Sequence, residues 1–131
     1  MMKKLIRIVN DDLMQLNDSI APKRLIVNIR EGFEDEFPNY RDYAYTYIDE
    51  DGEYIIVYSK KMYQASEQSI QALMRHEMAH ALHFLNDDND HSEQETDDLA
   101  EHVWGDRIYY DEDDIQTLEH GKYPRPLYLH Q

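Results

Sequence analysis

The chain opens on a short apolar, partly β-branched run, Leu5 to Val9, followed by Asn10-Asp11-Asp12, which offers a helix N-cap; the pattern predicts a strand and then a short helix to about Asp18. Pro22 breaks that helix. Leu25 to Ile29 predicts a second strand ending near Gly32, with Pro38 and Asn39 in the loop that follows. From Arg41 to Asp49 the rhythm is strictly two, with Tyr43, Tyr45 and Tyr47 on one face of a strand and Ala44, Thr46 and Ile48 on the other. The tyrosine face is expected to pack on the helices. Asp49-Glu50-Asp51-Gly52 makes a turn, and Glu53 to Ser59 follows at hairpin distance, so these two strands are expected to pair antiparallel.

At Ser66 the period changes to that of a helix. Ile70, Leu73, Glu77, His80, Ala81 and Phe84 share one face, which predicts a helix over 66–85. The run Asn86 to His91 interrupts it, because Asn and Asp side chains compete with the helical backbone. Ser92 with Glu95 three residues on reads as a capping box, and the stripe Leu99, Ala100, Val103, Trp104, Ile108 carries a second helix to about Tyr110. Residues 111–131, with Asp111 to Asp114, Gly121, Pro124 and Pro126, read as an acidic turn and an extended tail of the same domain.

Composition narrows the function classes. A chain of 131 residues is expected to form one domain, and 13 basic against 28 acidic residues leave a net charge of −15, which argues against nucleic acid or an anionic membrane as the partner. No apolar run is long enough to span a bilayer and the N-terminal run is too short for a signal peptide, so a soluble, cytoplasmic protein is expected. The absence of cysteine removes disulfides, thiolate ligands and a thiol nucleophile.

The chemistry concentrates at His76-Glu77-Met78-Ala79-His80, an HExxH pattern inside the expected helix. Histidines four apart project from one helix face and can share a metal, zinc by this spacing, while the glutamate stands beside a metal-bound water. A third protein ligand is needed. On the following helix Glu93, Thr96 and Asp97 lie closest to the direction of the apolar stripe, whereas Glu95, Asp98 and His102 point away, so direction favours Glu93. Asp97, one turn on, is placed to hydrogen-bond the far nitrogen of a ligating histidine. His91 is the alternative third ligand.

HEMAH on one helix followed by Glu93-Gln94-Glu95-Thr96-Asp97 on the next resembles the gluzincin type of zinc metallopeptidase, and the small chain looks like the minigluzincins and the peptidase domain of the ImmA/IrrE group. Glu93, Glu95, Thr96, Asp97 and Ala100 match the form of their glutamate helix, with Thr96 in place of the usual alanine. The resemblance, over about residues 1–110, implies zinc bound by His76, His80 and Glu93, with Glu77 as general base. It also implies an α+β, zincin-like fold: a small twisted mixed sheet on a backing helix, then the active-site helix and the glutamate helix. Only twelve residues separate His80 from Glu93. Should that turn not close, His91 completes a three-histidine site resembling the SprT-like proteins.

The expected activity is hydrolysis of peptide bonds without a covalent intermediate, with the substrate paired to the edge strand beside the active-site helix, either Arg41 to Asp49 or Tyr54 to Ser59. Residues 86–119 hold fourteen acidic side chains and one base, Arg107, which would attract a basic peptide or protein. A second class of function fits the same charge: an acidic inhibitor that mimics nucleic acid and covers a basic protein partner, with a structural or non-catalytic zinc site. Tyr109, Tyr110, His102 and His120 are candidate oxyanion donors, and spacing does not choose among them.

Overall fold

The computed structural model describes residues 2–36, 44–88 and 90–105. Among them the order is helix α1 (Met2–Ile20), strands β1 (Val27–Glu31), β2 (Ala44–Ile48) and β3 (Tyr54–Tyr58), and helices α2 (Glu67–Leu85) and α3 (Glu93–Trp104), with 3-10 turns at Glu34–Glu36 and Lys60–Gln64. The class is α+β with a mixed sheet, as expected, and among the described residues the sheet has three strands where the sequence suggests four.

Residues 5–9 form no strand; they belong to α1. A five-residue apolar run fits either element, and what decides is the longer pattern. Leu5, Ile8, Val9, Leu13 and Leu16 recur at helical spacing and enter the core together. Asp12, expected near a helix start, lies inside α1, buried, where its carboxylate accepts from Arg75 Nε and Nη2, both at 3.0 Å. Its carbonyl accepts from Trp104 Nε1 at 3.0 Å, so one residue ties α1 to both later helices.

The second strand begins two residues later than the sequence suggests. The Asn17 side chain takes both backbone groups of Leu25, accepting from its N–H at 2.7 Å and donating to its carbonyl at 3.0 Å, which removes Leu25 from any ladder. The sheet order is β1-β3-β2, with β1 parallel and β2 antiparallel to β3. The expected hairpin is present. Its turn closes with Gly52 at φ 79° and with Asp49 Oδ1 accepting from the N–H groups of Asp51 and Glu53.

The tyrosine stripe faces the other way from the expectation. Tyr45 and Tyr47 pack with Ile55 and Val57 in a separate small cluster, while Ala44, Ile56 and Tyr58 join the main core with the helices. Close approach of α2 explains this: Thr46 Oγ1 reaches the backbone carbonyl of Glu77 at 3.1 Å, leaving room on that side for alanine and threonine but not tyrosine. Tyr43 and the rest of 41–43 lie outside the described residues.

The helix against the sheet is α2, and α1 packs mainly on α2 and α3. Serine caps start both later helices: Ser66 Oγ accepts from Ser69 N–H and Ser92 Oγ from Glu95 N–H. The second of these helices stops at Trp104 rather than near Tyr110, because Gly105 adopts φ 77° and returns its N–H to the Glu101 carbonyl. Ile108, Tyr109, Tyr110 and residues 111–131, His120 among them, lie outside the described residues. No described helix is long and apolar enough to cross a membrane.

Candidate metal centre

His76, Glu77 and His80 sit in the middle of α2, where the helix is pressed between β2 and α3. His76 and Glu77 are essentially without solvent exposure, at 0 and 1 %. Polar groups buried that deeply need partners, and each has one.

His76 Nδ1–H donates to Asp97 Oδ1 on α3 at 2.5 Å. On the other ring, His80 Nδ1 lies 2.8 Å from His91 Nε2, and His91 Nδ1–H donates to the carbonyl of Asp88 at 2.9 Å. A carbonyl only accepts, so the His91 proton sits on Nδ1, and a neutral His91 accepts the Nδ1 proton of His80 through Nε2. The hydrogens are thereby assigned from partners. Both α2 histidines then carry their proton on Nδ1, and Nε2 is the unprotonated nitrogen of each ring.

The two Nε2 atoms are close neighbours. The Nε2 atoms are 3.1 Å apart and the rings stand at 87°. Two unprotonated nitrogens at that distance repel, and a cation near both offsets the repulsion. Two imidazole nitrogens on a tetrahedral zinc, each at about 2.0–2.1 Å, stand roughly 3.3 Å apart, so the pair fits a zinc ion with small adjustment. The side-chain donors of His76, Glu77 and His80 all lie within 4.8 Å of one another.

Glu77 is held by a residue that the sequence patterns passed over. Thr46 Oγ1 donates to Glu77 Oε1 at 2.6 Å from β2. The legible signal was the pair of small residues, Ala44 and Thr46, spaced by two within a tyrosine-rich strand. Thr96, buried on α3, has its Oγ1 at 3.4 Å from His80 Nδ1 and donates to the Ser92 carbonyl at 2.9 Å.

Glu93 is the first residue of α3, one turn before Asp97. His91 lies in the connection between the helices and stands on the Nδ1 side of His80, away from the convergence of the Nε2 atoms. His83, a turn after His80, stacks on His91 at 4.2 Å between ring centres and reaches Asp88 Oδ2 with Nδ1 at 3.2 Å. Burial, aided by the adjacent His91, holds the His83 pKa below the ordinary imidazole value. His102 is exposed on the last turn of α3.

Of the two strands considered for substrate pairing, Tyr54–Tyr58 is ruled out as an edge, because β1 and β2 flank it on both sides. In β2, by contrast, one side faces β3 and, among the described residues, no strand pairs with the other. This strand also lies along α2.

Comparison with known proteins adds one finding. A family model described as peptidase M91, effector protein, matches residues 1–120. No curated protein and no solved structure matches the chain.

Proposed function

The chain belongs to the peptidase M91 family of effector proteins, a metallopeptidase family, and from this premise we propose that it is a zinc-dependent peptidase of the gluzincin type acting on a protein substrate. One observation carries the reading: on α2 the Nε2 atoms of His76 and His80 stand 3.1 Å apart beside Glu77, while their Nδ1 atoms face Asp97 and His91. In this reading His76 and His80 hold zinc. Glu93 is the third ligand, supported by its place one turn before Asp97, the residue that already touches His76.

Bound zinc supplies an activated water and polarises the scissile carbonyl. Glu77 would serve as the general base there and pass the proton on to the leaving amine, and Thr46 donates to its carboxylate and fixes its orientation. Asp97 holds the His76 ring in the tautomer that leaves Nε2 unprotonated. The outer edge of β2 offers backbone groups to an extended substrate, and the acidic stretch 86–119 favours a basic one.

Glu77→Gln tests the assignment. The variant is expected to keep stoichiometric zinc and to lose hydrolysis of a casein or mixed-peptide substrate by roughly 100-fold or more, the usual contribution of a positioned general base. Undiminished hydrolysis in Glu77→Gln would remove Glu77 from the mechanism.

A further inference from the structure

The connection between α2 and α3 carries a histidine that is held from four directions. Asp88 accepts from its Nδ1–H at 2.9 Å, His83 stacks on its face at 4.2 Å and 17°, Phe84 meets its edge at 5.4 Å between ring centres, and His80 Nδ1 stands 2.8 Å from its Nε2. Loops do not ordinarily order an imidazole this fully.

We propose that His91 is a positioning residue for metal binding: through Nε2 it accepts from His80 Nδ1–H and so keeps the proton off His80 Nε2, the nitrogen that stands 3.1 Å from His76 Nε2. The inference rests on the reading of His76 and His80 as zinc ligands. Each ligating histidine then has one partner on its far nitrogen, a carboxylate for His76 and a second imidazole for His80. The backbone carbonyl of Asp88 is the fixed end of the chain, because it cannot give a proton back.

Two other roles for His91 fit the geometry less well. As the third ligand it would have to bring a nitrogen to the Nε2 side of His80, but both of its nitrogens are engaged on the opposite side. His83, Asp88 and His91 also form a group close enough to hold a second ion. Imidazole lone pairs lie in the ring plane, however, and two nearly parallel stacked rings do not aim at one point.

The test is zinc affinity by competition with a chromophoric chelator, on the full chain, for the wild type, His91→Phe, His91→Gln and His76→Ala, with the imidazole count around bound zinc read by X-ray absorption. Phenylalanine keeps the stacking and removes the acceptor; glutamine returns an acceptor at the same reach. The expected result is zinc binding weakened about 10- to 100-fold in His91→Phe with two imidazoles still bound, and recovered in part in His91→Gln. Unchanged affinity in His91→Phe overturns the proposal. So does loss of one imidazole from the zinc shell, which makes His91 a ligand, or a second zinc equivalent that vanishes with His91. A wild type that binds no zinc, with His76→Ala indistinguishable from it, overturns the metal site itself and is thereby told apart from failure of the His91 role.

Discussion

At the scale of single residues, a hydroxyl on a strand decides how the buried carboxylate of Glu77 is held. Thr46 is the donor, and removing it leaves Glu77 Oε1 without that bond on a side chain that is 1 % exposed. Thr46→Val is expected to cost about 1–3 kcal/mol in urea unfolding and to lower turnover, whereas Thr46→Ser retains most of both. Equal stability in the valine and serine variants would show that the bond does nothing for the fold. His83 supplies a pH dependence. Its folded-state pKa lies below the ordinary value, so the unfolded chain takes up a proton, near pH 6.5, that the folded state accepts only at lower pH. Stability is therefore complete above about pH 6.5 and falls as the pH drops through the window beneath it. For metal-free protein, the urea midpoint is expected to fall less between pH 7 and pH 5.5 in His83→Gln than in the wild type, and an identical fall in both would rule out this contribution.

At the scale of elements, the helix carrying HExxH was legible because its period, its serine cap and its Asn/Asp stop agree over twenty residues. The first helix does not show in the pattern because its first turns hold only a short apolar run and Asn10-Asp11-Asp12 looks like a cap, whereas Asp12 serves Arg75 and Trp104 instead. Which face of β2 meets the helices was likewise not readable from alternation, since alternation gives two faces and not their sides. The sides follow from Thr46 and Ala44 permitting α2 to come close, and the same contact places Thr46 on Glu77. The early end of α3 comes from Gly105, whose positive φ favours a residue without a Cβ. Among the described residues no neighbour would meet a Cβ there, so Gly105→Ala is expected to cost about 1 kcal/mol from backbone strain. A loss well above that, by thermal or urea unfolding, would mean that the helix end is also packed.

At the scale of the whole molecule, the site is where the layers meet. β2 brings Thr46, α2 brings His76, Glu77 and His80, α3 brings Thr96 and Asp97, and the connection between the last two helices brings His91. A metal bound here by the native state and not by the unfolded chain stabilises it by about 2.7 kcal/mol at 100 times its dissociation constant. Chelation is accordingly expected to lower the melting temperature, and His76→Ala to remove the dependence on zinc. Whether the Nε2 atoms of His76 and His80 hold one ion is read by elemental analysis of the purified full chain, with His76→Ala and Glu93→Ala beside it. One zinc per chain is expected in the wild type and none in either variant; a wild type that carries no metal after zinc is supplied would mean that these residues form no metal site.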